Sequence, residues 1–381
     1  MPELTIEQIK EKIVTGEIQA ISVDTNIFDK YHCNLKHPLL TSLGQFSETN
    51  VDVLLSEIVT GEIRAHLIAD AAESQRVLKK ALKEHRRRWT IGADEALDAH
   101  LKVTSSAVDY ADGELKSFID AAGIEVVEVH NEMELGPELV RRYFASLAPF
   151  EAKESKKNEF PDALALLSLE FHVKDNAGVL LCVSLDGGWE LFAAQSDTVV
   201  ILGDLAEALS LFNQAGEPVV DEVIGLWRDG KMPDLAKEVS GEIASWCADL
   251  EFEGTGDGPA NWYIDSQEAV FGEIKEVGEA KVVSFGGKQI TFTAQLIVEL
   301  QFYADFNFFA HDYVDRDEVN IGNLTADKVV DVPIEATITA TYEDDYRDLY
   351  VVEVAIGSRN LEIDFGYVDP FAGEDPTFEK Y

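Results

Sequence analysis

Apolar residues in the first half of the chain follow two rhythms. Short runs, QAISVD (19–24), IEVVEV (124–129), VLLCVS (179–184) and DTVVIL (197–202), read as strands, and the continuous apolar VLLCVS as one buried on both faces of a sheet. Between them lie stretches of helical period: a short one at 39–46, a long one from about Val53 to Trp89, another from about Asp94 to Ala122, and an apolar one, DALALLSLEFHV, opened by Pro161. The Gly136-Pro137 turn opens a helix through Arg141 and Arg142, and DLAEALSLF (204–212) reads as a last helix. Strands alternating with helices predict a parallel sheet with helices on both faces, residues 1–215. In such sheets ligands bind beyond the carboxyl ends of the strands. Asp24 and Asp186 both stand just past strand ends.

Beyond residue 215 the rhythm changes. A helical connector (216–252) holds two helices near 217–229 and 233–250. GTGDGP (254–259) reads as a linker or tight loop. From Trp262 to about Phe365 the chain alternates with period two, which predicts a separate antiparallel β domain, residues 253–381. Its hairpin turns are placed at Phe285–Lys288 and Ile356–Asn360. The tail from Phe371 reads as frayed. No internal repeat is visible.

Charge changes this picture most. The chain of 381 residues carries a formal net charge of −41. Residues 1–190 contribute −13 and residues 191–381 contribute −28. Such a balance opposes non-specific nucleic-acid binding, because phosphate affinity comes from Lys and Arg. It serves solubility, or it repels and gates a polyanion. No apolar run has the length of a membrane span, and the polar start MPELTIEQIKEKI is not a secretory signal, which points to the cytoplasm. Cys33, Cys182 and Cys247 match no zinc spacing and read as structural thiols. His66, His85 and His172 form no cluster along the chain and read as surface or packing groups rather than ligands.

Four segments carry carboxylates that each have a plain explanation. Asp24 in VDTN suits a helix N-cap. Glu57 and Glu62 are five apart and do not share one helical face well. Asp162 in NEFPDALALLSL sits in a first turn, where the helix dipole favours an acid. Asp186 in VSLDGGW suits a turn.

Their order is more specific than any one of them. Asp-Thr-Asn after the first strand resembles the opening motif of the PIN-domain nucleases. SEIVTGEIRAHL resembles their second acidic motif and picks Glu62 over Glu57. NEFPDALALLSL and VSLDGGW resemble the third and fourth, with Asp162 and Asp186. The wording is closest to a bacterial PIN-like subfamily of unknown or toxin-like role. The resemblance covers about residues 18–215. It implies a three-layer α/β/α domain and a metal-dependent nuclease, with Asp24, Glu62, Asp162 and Asp186 as metal-binding and catalytic acids. Thr25, Asn26 and Glu159 would support them. Many PIN domains carry a further acid two places after the fourth; here that position is Gly188, which bears on whether one metal or two would bind. Hard oxygen ligands call for Mg²⁺ or Mn²⁺. The implied reaction is phosphodiester hydrolysis by an in-line water. An RNA substrate, single-stranded or structured, and a toxin or anti-phage role also come from the resemblance alone.

One basic feature stands out on this acidic chain. In SQRVLKKALKEHRRRW (74–89), helical spacing puts Arg76, Lys79, Lys80, Lys83, Arg86 and Arg87 on one arc. Leu67, Leu78, Ala81, Leu82 and Trp89 fall opposite, on a face expected to pack. The cationic arc reads as a phosphate track, extended by Lys156 and Lys157. It could instead pair with an inhibitory partner or with the acidic β domain. Two rival functions stay open: a non-catalytic PIN scaffold engaging a basic partner through the acidic domain, and a structure-specific DNA nuclease with the same acids.

Overall fold

The computed structural model describes residues 4–129, 134–150, 159–176, 178–311, 318–343, 345–357 and 360–371. The chain divides into two compact units: Met1–Gly216 with Val282–Phe285, and Glu217–Lys281 with Gly286–Tyr381.

The first unit is built on five parallel strands: β1 (Ile18–Val23), β2 (Asp52–Ser56), β3 (Ile124–Val127), β4 (Val179–Val183) and β5 (Val199–Leu202). Their spatial order is β3-β2-β1-β4-β5. Flanking helices are α1 (Ile6–Val14), α2 (Thr25–Lys30), α3 (Pro38–Thr41), α4 (Glu57–Trp89), α5 (Glu95–His100), α6 (Ala107–Ala122), α7 (Leu135–Ala145), α8 (Phe160–Asp175), α9 (Gly187–Ala193) and α10 (Leu205–Phe212). A 3-10 segment, Ser42–Glu48, follows α3. The result is the three-layer α/β/α arrangement that the alternating pattern implied.

The core explains the apolar runs. Ile21, Val23, Leu54, Leu55, Leu180, Leu181 and Val183 are all sealed from water. Each such side chain contributes roughly 1.5–3 kcal/mol through burial. Helix α8 is buried nearly all round because it packs on α4, α7, β2 and β4. Its one fully buried acid, Glu170, accepts from Ser196 at 2.5 Å and pairs with Lys174 at 3.0 Å. That satisfies a charge that burial would otherwise penalise.

Two expected boundaries move. Residues 53–56, read as the start of a helix, are strand β2, whose Val53 and Leu54 register with Ile21 and Ser22 of β1. The three apolar residues Val53, Leu54 and Leu55 carry no period that separates strand from helix. The helix begins at Glu57, where the Ser56 side chain accepts from the Ile58 amide. The helix expected over 94–122 is broken into α5 and α6: Lys102 takes a positive φ of 52°, and Ser106 then caps α6 through the Asp109 amide.

The second unit holds α11 (Glu217–Arg228) and α12 (Pro233–Ala248), then β6 (Phe252–Asp257), β7 (Asn261–Gly286), β8 (Gln289–His311), β9 (Glu318–Thr341), β10 (Tyr350–Ile356) and β11 (Leu361–Tyr367). Strands β10-β9-β8-β7 form an antiparallel sheet, and β11 and β6 form a two-stranded parallel one. On β8 every second residue from Ile290 to Phe308 is buried, and Leu296, Val298 and Phe292 face Ile334, Val332 and Ile338 of β9. The turn between β7 and β8 has φ of 58° at Gly287 and 65° at Lys288, as a two-residue type I′ hairpin requires.

Two readings of this unit are corrected. GTGDGP is not a linker, because its first four residues belong to strand β6. The glycines permit close packing there: a side chain at Gly256 would meet the Gly366 carbonyl at 3.2 Å. Ile356–Asn360 does not join a hairpin, because β10 and β11 lie in different sheets. The tail from residue 372 lies outside the described residues. Among the described residues no helix is long and apolar enough to cross a membrane.

Candidate metal centre

The strand order sets the location. It reverses between β1 and β4, and in such sheets ligands bind beyond the carboxyl ends of the strands at that point. Asp24 follows β1 directly, and its amide donates to the Val183 carbonyl of β4 at 2.9 Å. Asp186 is the third residue after β4. Helix α8 delivers Asp162 from its first turn, and α4 delivers Glu62 from its second.

Asp24 is anchored through both oxygens, and the other three acids through one each. Asp24 Oδ2 accepts from Ser184 Oγ and Asn26 Nδ2, both at 2.6 Å, and its Oδ1 accepts from the Thr25 amide at 2.7 Å. Asp186 Oδ1 accepts from the Gly188 amide at 2.7 Å. Asp162 Oδ1 accepts from Trp189 Nε1 at 3.3 Å, and Glu62 Oε2 from Thr25 Oγ1 at 2.6 Å. Among the described residues the second oxygens of Asp186, Asp162 and Glu62 have no protein donor, and Asp24 Oδ1 keeps one lone pair. Glu57 is used otherwise, accepting from the Val129 amide at 2.8 Å.

Electrostatics shows the crowding. Asp24, almost fully buried, has its pKa pushed up to about 7, first by loss of hydration and then by Asp162 and Asp186, while Ser184 and Thr25 partly offset the rise. Burial likewise raises Asp162 to about 6, helped by the charges of Asp186, Glu62 and Glu159 and opposed by Trp189. So the four acids of the sequence motifs are brought together, with Glu159 close enough to be felt. Thr25 and Asn26 hold acids rather than facing solvent.

Residues 21–189 match a family model described as PIN domain. This segment is a PIN domain. No curated protein matches the chain, and no solved structure does. PIN domains are generally nucleases that use divalent metals, and the donors of this one fit such an ion: all oxygen, several unclaimed, and mutually repulsive without a counter-charge. Among the described residues the four acids stay wider apart than a closed single-ion cage; only Asp29, Cys33 and His66 bring three ligand atoms within 4.8 Å of one another.

The sequence reading missed Ser184 and Trp189. Both stand inside VSLDGGW, two residues before and three after Asp186, but a Ser and a Trp in a strand and helix carry no chemical signal until the acids they serve are placed. Gly188 is a position the PIN domain uses differently here: a Cβ there would lie 2.8 Å from Asp186 Oδ1, so a longer side chain requires Asp186 to move.

The cationic arc lies on α4 as the helical period placed it. Lys79, Lys80, Lys83 and Arg87 are exposed. Arg76 instead grips Glu73 with two bonds, at 2.5 and 2.6 Å, and Arg86 grips Asp98 at 2.7 and 3.2 Å. The face opposite packs only in part: Leu67 is buried and Leu78 and Leu82 are half-buried, but Ala81 is exposed and Trp89 is 67% exposed. Lys156 and Lys157 lie outside the described residues.

Proposed function

We propose that the PIN domain is a divalent-metal-dependent ribonuclease in which Asp24, Glu62, Asp162 and Asp186 hold Mg²⁺ or Mn²⁺. The observation that carries this is the pattern of anchored and unclaimed oxygens: Glu62, Asp162 and Asp186 are each fixed through one oxygen and left open on the other, beside an Asp24 held through both. Structural caps have no need of four such acids at one sheet edge. A bound ion supplies a water of lowered pKa and neutralises charge on the scissile phosphate.

The chain's own groups do the rest. Ser184 and Asn26 fix Asp24, Trp189 fixes Asp162 and Thr25 fixes Glu62, so the ligand set is oriented before the ion arrives. Lys79, Lys80, Lys83 and Arg87 supply a line of positive charge for the nucleic-acid backbone, which positions a strand without reading its sequence. Preference for RNA, and a toxin or anti-phage role, follow from the likeness to the subfamily and belong to the same proposal.

The test is cleavage of single-stranded RNA by the full chain with Mn²⁺, beside Asp24→Asn and Asp186→Asn, with flapped DNA as a second substrate. Cleavage of RNA that both variants lose by a factor of about a hundred or more supports the reading. Preferential cleavage of the DNA would replace RNA as the substrate. A chain that binds no Mn²⁺ would instead be a binding scaffold, a reading that Gly188 at the fifth acidic position favours.

A further inference from the structure

The packing of α2 on α4 repeats at a fixed offset. Thr25 Oγ1 meets Glu62 at 2.6 Å, and Asp29 Oδ1 meets His66 Nδ1 at 2.7 Å, both pairs 37 residues apart. Beyond the end of α2, at the same offset, Asp70 lies close enough for its charge to act on Cys33. The thiol lies 3.5 Å from Asp29 Oδ1 and 3.7 Å from His66 Nδ1. Three different ligand atoms, a sulfur, an imidazole nitrogen and a carboxylate oxygen, therefore converge.

We propose that Asp29, Cys33 and His66 form a second cation site, distinct from the four acids, for a borderline-soft divalent ion of the Zn²⁺ class, with Asp70 or solvent in the fourth position. The geometry is close to what that ion needs. Tetrahedral bonds of about 2.0 Å to nitrogen or oxygen and 2.3 Å to sulfur put neighbouring ligand atoms roughly 3.3–3.5 Å apart. The sulfur–oxygen distance of 3.5 Å already has that spacing, and the sulfur–nitrogen distance of 3.7 Å must close slightly. The shorter nitrogen–oxygen distance is a proton-bridged pair, and it opens by about half an ångström when an ion replaces the proton. Mixed sulfur, nitrogen and oxygen donors disfavour Mg²⁺, which asks for oxygen alone.

The surroundings support a cation. Cys33 is buried and its thiol is pushed up to about 12, by lost hydration first and then by Asp29 and Asp70. Anionic neighbours that suppress a thiolate are the neighbours that attract a metal ion, and the ion then deprotonates the thiol. Asp29 and His66 are about half exposed, so an ion has an entry path. Cys33 itself sits at a φ of 49° and His32 at 51°, a left-handed turn that brings the sulfur back toward α4. The site would staple the elements that carry Thr25 and Glu62, one turn away from the proposed catalytic acids.

Co²⁺ added to the full-length protein tests this, because thiolate ligation gives a sulfur-to-cobalt charge-transfer band that carboxylates cannot give. The expected result is a band that saturates at one equivalent and is displaced by Zn²⁺. It vanishes in Cys33→Ser, needs at least about tenfold more cobalt in His66→Gln, and persists in Asp186→Asn. His66 is exposed, so His66→Gln is the variant that keeps its fold if Cys33→Ser does not. No thiolate band at excess cobalt, a band surviving Cys33→Ser, or a titration unchanged by His66→Gln each overturns the proposal. Asp186→Asn separates this result from any failure of the nuclease reading.

Discussion

Asp162 carries a cost that its neighbours reveal. Its pKa rises from 3.8 to about 6 because burial and three nearby acids disfavour its charge. The sign of the effect on stability follows. Between those values the folded chain holds a proton that the unfolded chain has released, so without metal stability falls as pH rises through that window. Asp162→Asn removes the penalty while its amide oxygen can still accept from Trp189. We expect the variant to unfold about 2 kcal/mol later than the parent in chelator at pH 7.5, with the gap closing below pH 4. Denaturant titration at both pH values checks it, and an equal gap at both would assign the effect to packing instead. The same variant loses Mn²⁺ affinity, so stability and binding move in opposite directions, as expected of a site built against its own electrostatics. His37 has the opposite pH sign. Burial holds its imidazole down at about 4 from an ordinary 6.5, so the stability tied to its neutral form is complete above pH 6.5 and is lost as pH falls toward 4. His37→Phe removes that term, and the variant should lose less stability than the parent between pH 6.5 and 4.5 in the same titration. A parallel loss in both would show that His37 titrates alike in the folded and the unfolded chain.

Among the elements, α4 connects site and surface. It supplies Glu62 near its start and exposed lysines from Lys79 onward, a separation of about 25 Å along a helix rising 1.5 Å per residue. A single-stranded RNA held on this track can still reach the acids. Replacing Lys79, Lys80 and Lys83 together by Ala should lower RNA affinity at all sequences alike and reduce the slope of log affinity against log salt by about 2. Arg76→Ala and Arg86→Ala should change that slope little, because both guanidiniums are already occupied by Glu73 and Asp98. Equal slopes for all variants would make the arc a solvated face. Most of this was legible in the residues, and the exceptions have a common cause. Asp24, Asp162 and Asp186 stand out because strand ends and a helix start place them, and the arc stands out because helical period is strict. Strand β2 and strand β6 were hidden because short runs are defined by the neighbours they pair with, Ile21 and Ser22 in one case and Leu361 and Glu362 in the other. His66 was hidden for the same reason: Asp29 and Cys33 are 37 and 33 residues away, and only the α2–α4 register brings them together.

At the scale of the whole chain, charge acts over a distance that salt controls. A phosphate backbone nearing a protein of net −41 is repelled by the sum and attracted by the arc. At about 0.01 M salt the screening length is roughly 30 Å, so much of the total is felt; at about 0.1 M it is roughly 10 Å and local charge dominates. The two terms therefore fade at different salt concentrations. An ordinary basic nuclease loses affinity at every step of added salt. For this chain the rate of RNA cleavage at subsaturating substrate should instead rise from about 0.01 M, pass a maximum near 0.1 M and then fall as the arc itself is screened. Lys79→Ala/Lys80→Ala/Lys83→Ala should flatten the falling limb and leave the rising one. Initial rates across a salt series at fixed Mn²⁺ give both limbs. A monotonic fall in the parent would mean that the acidic surplus, most of it carried by residues 191–381, is not sensed at the site, and would leave that surplus a matter of solubility alone.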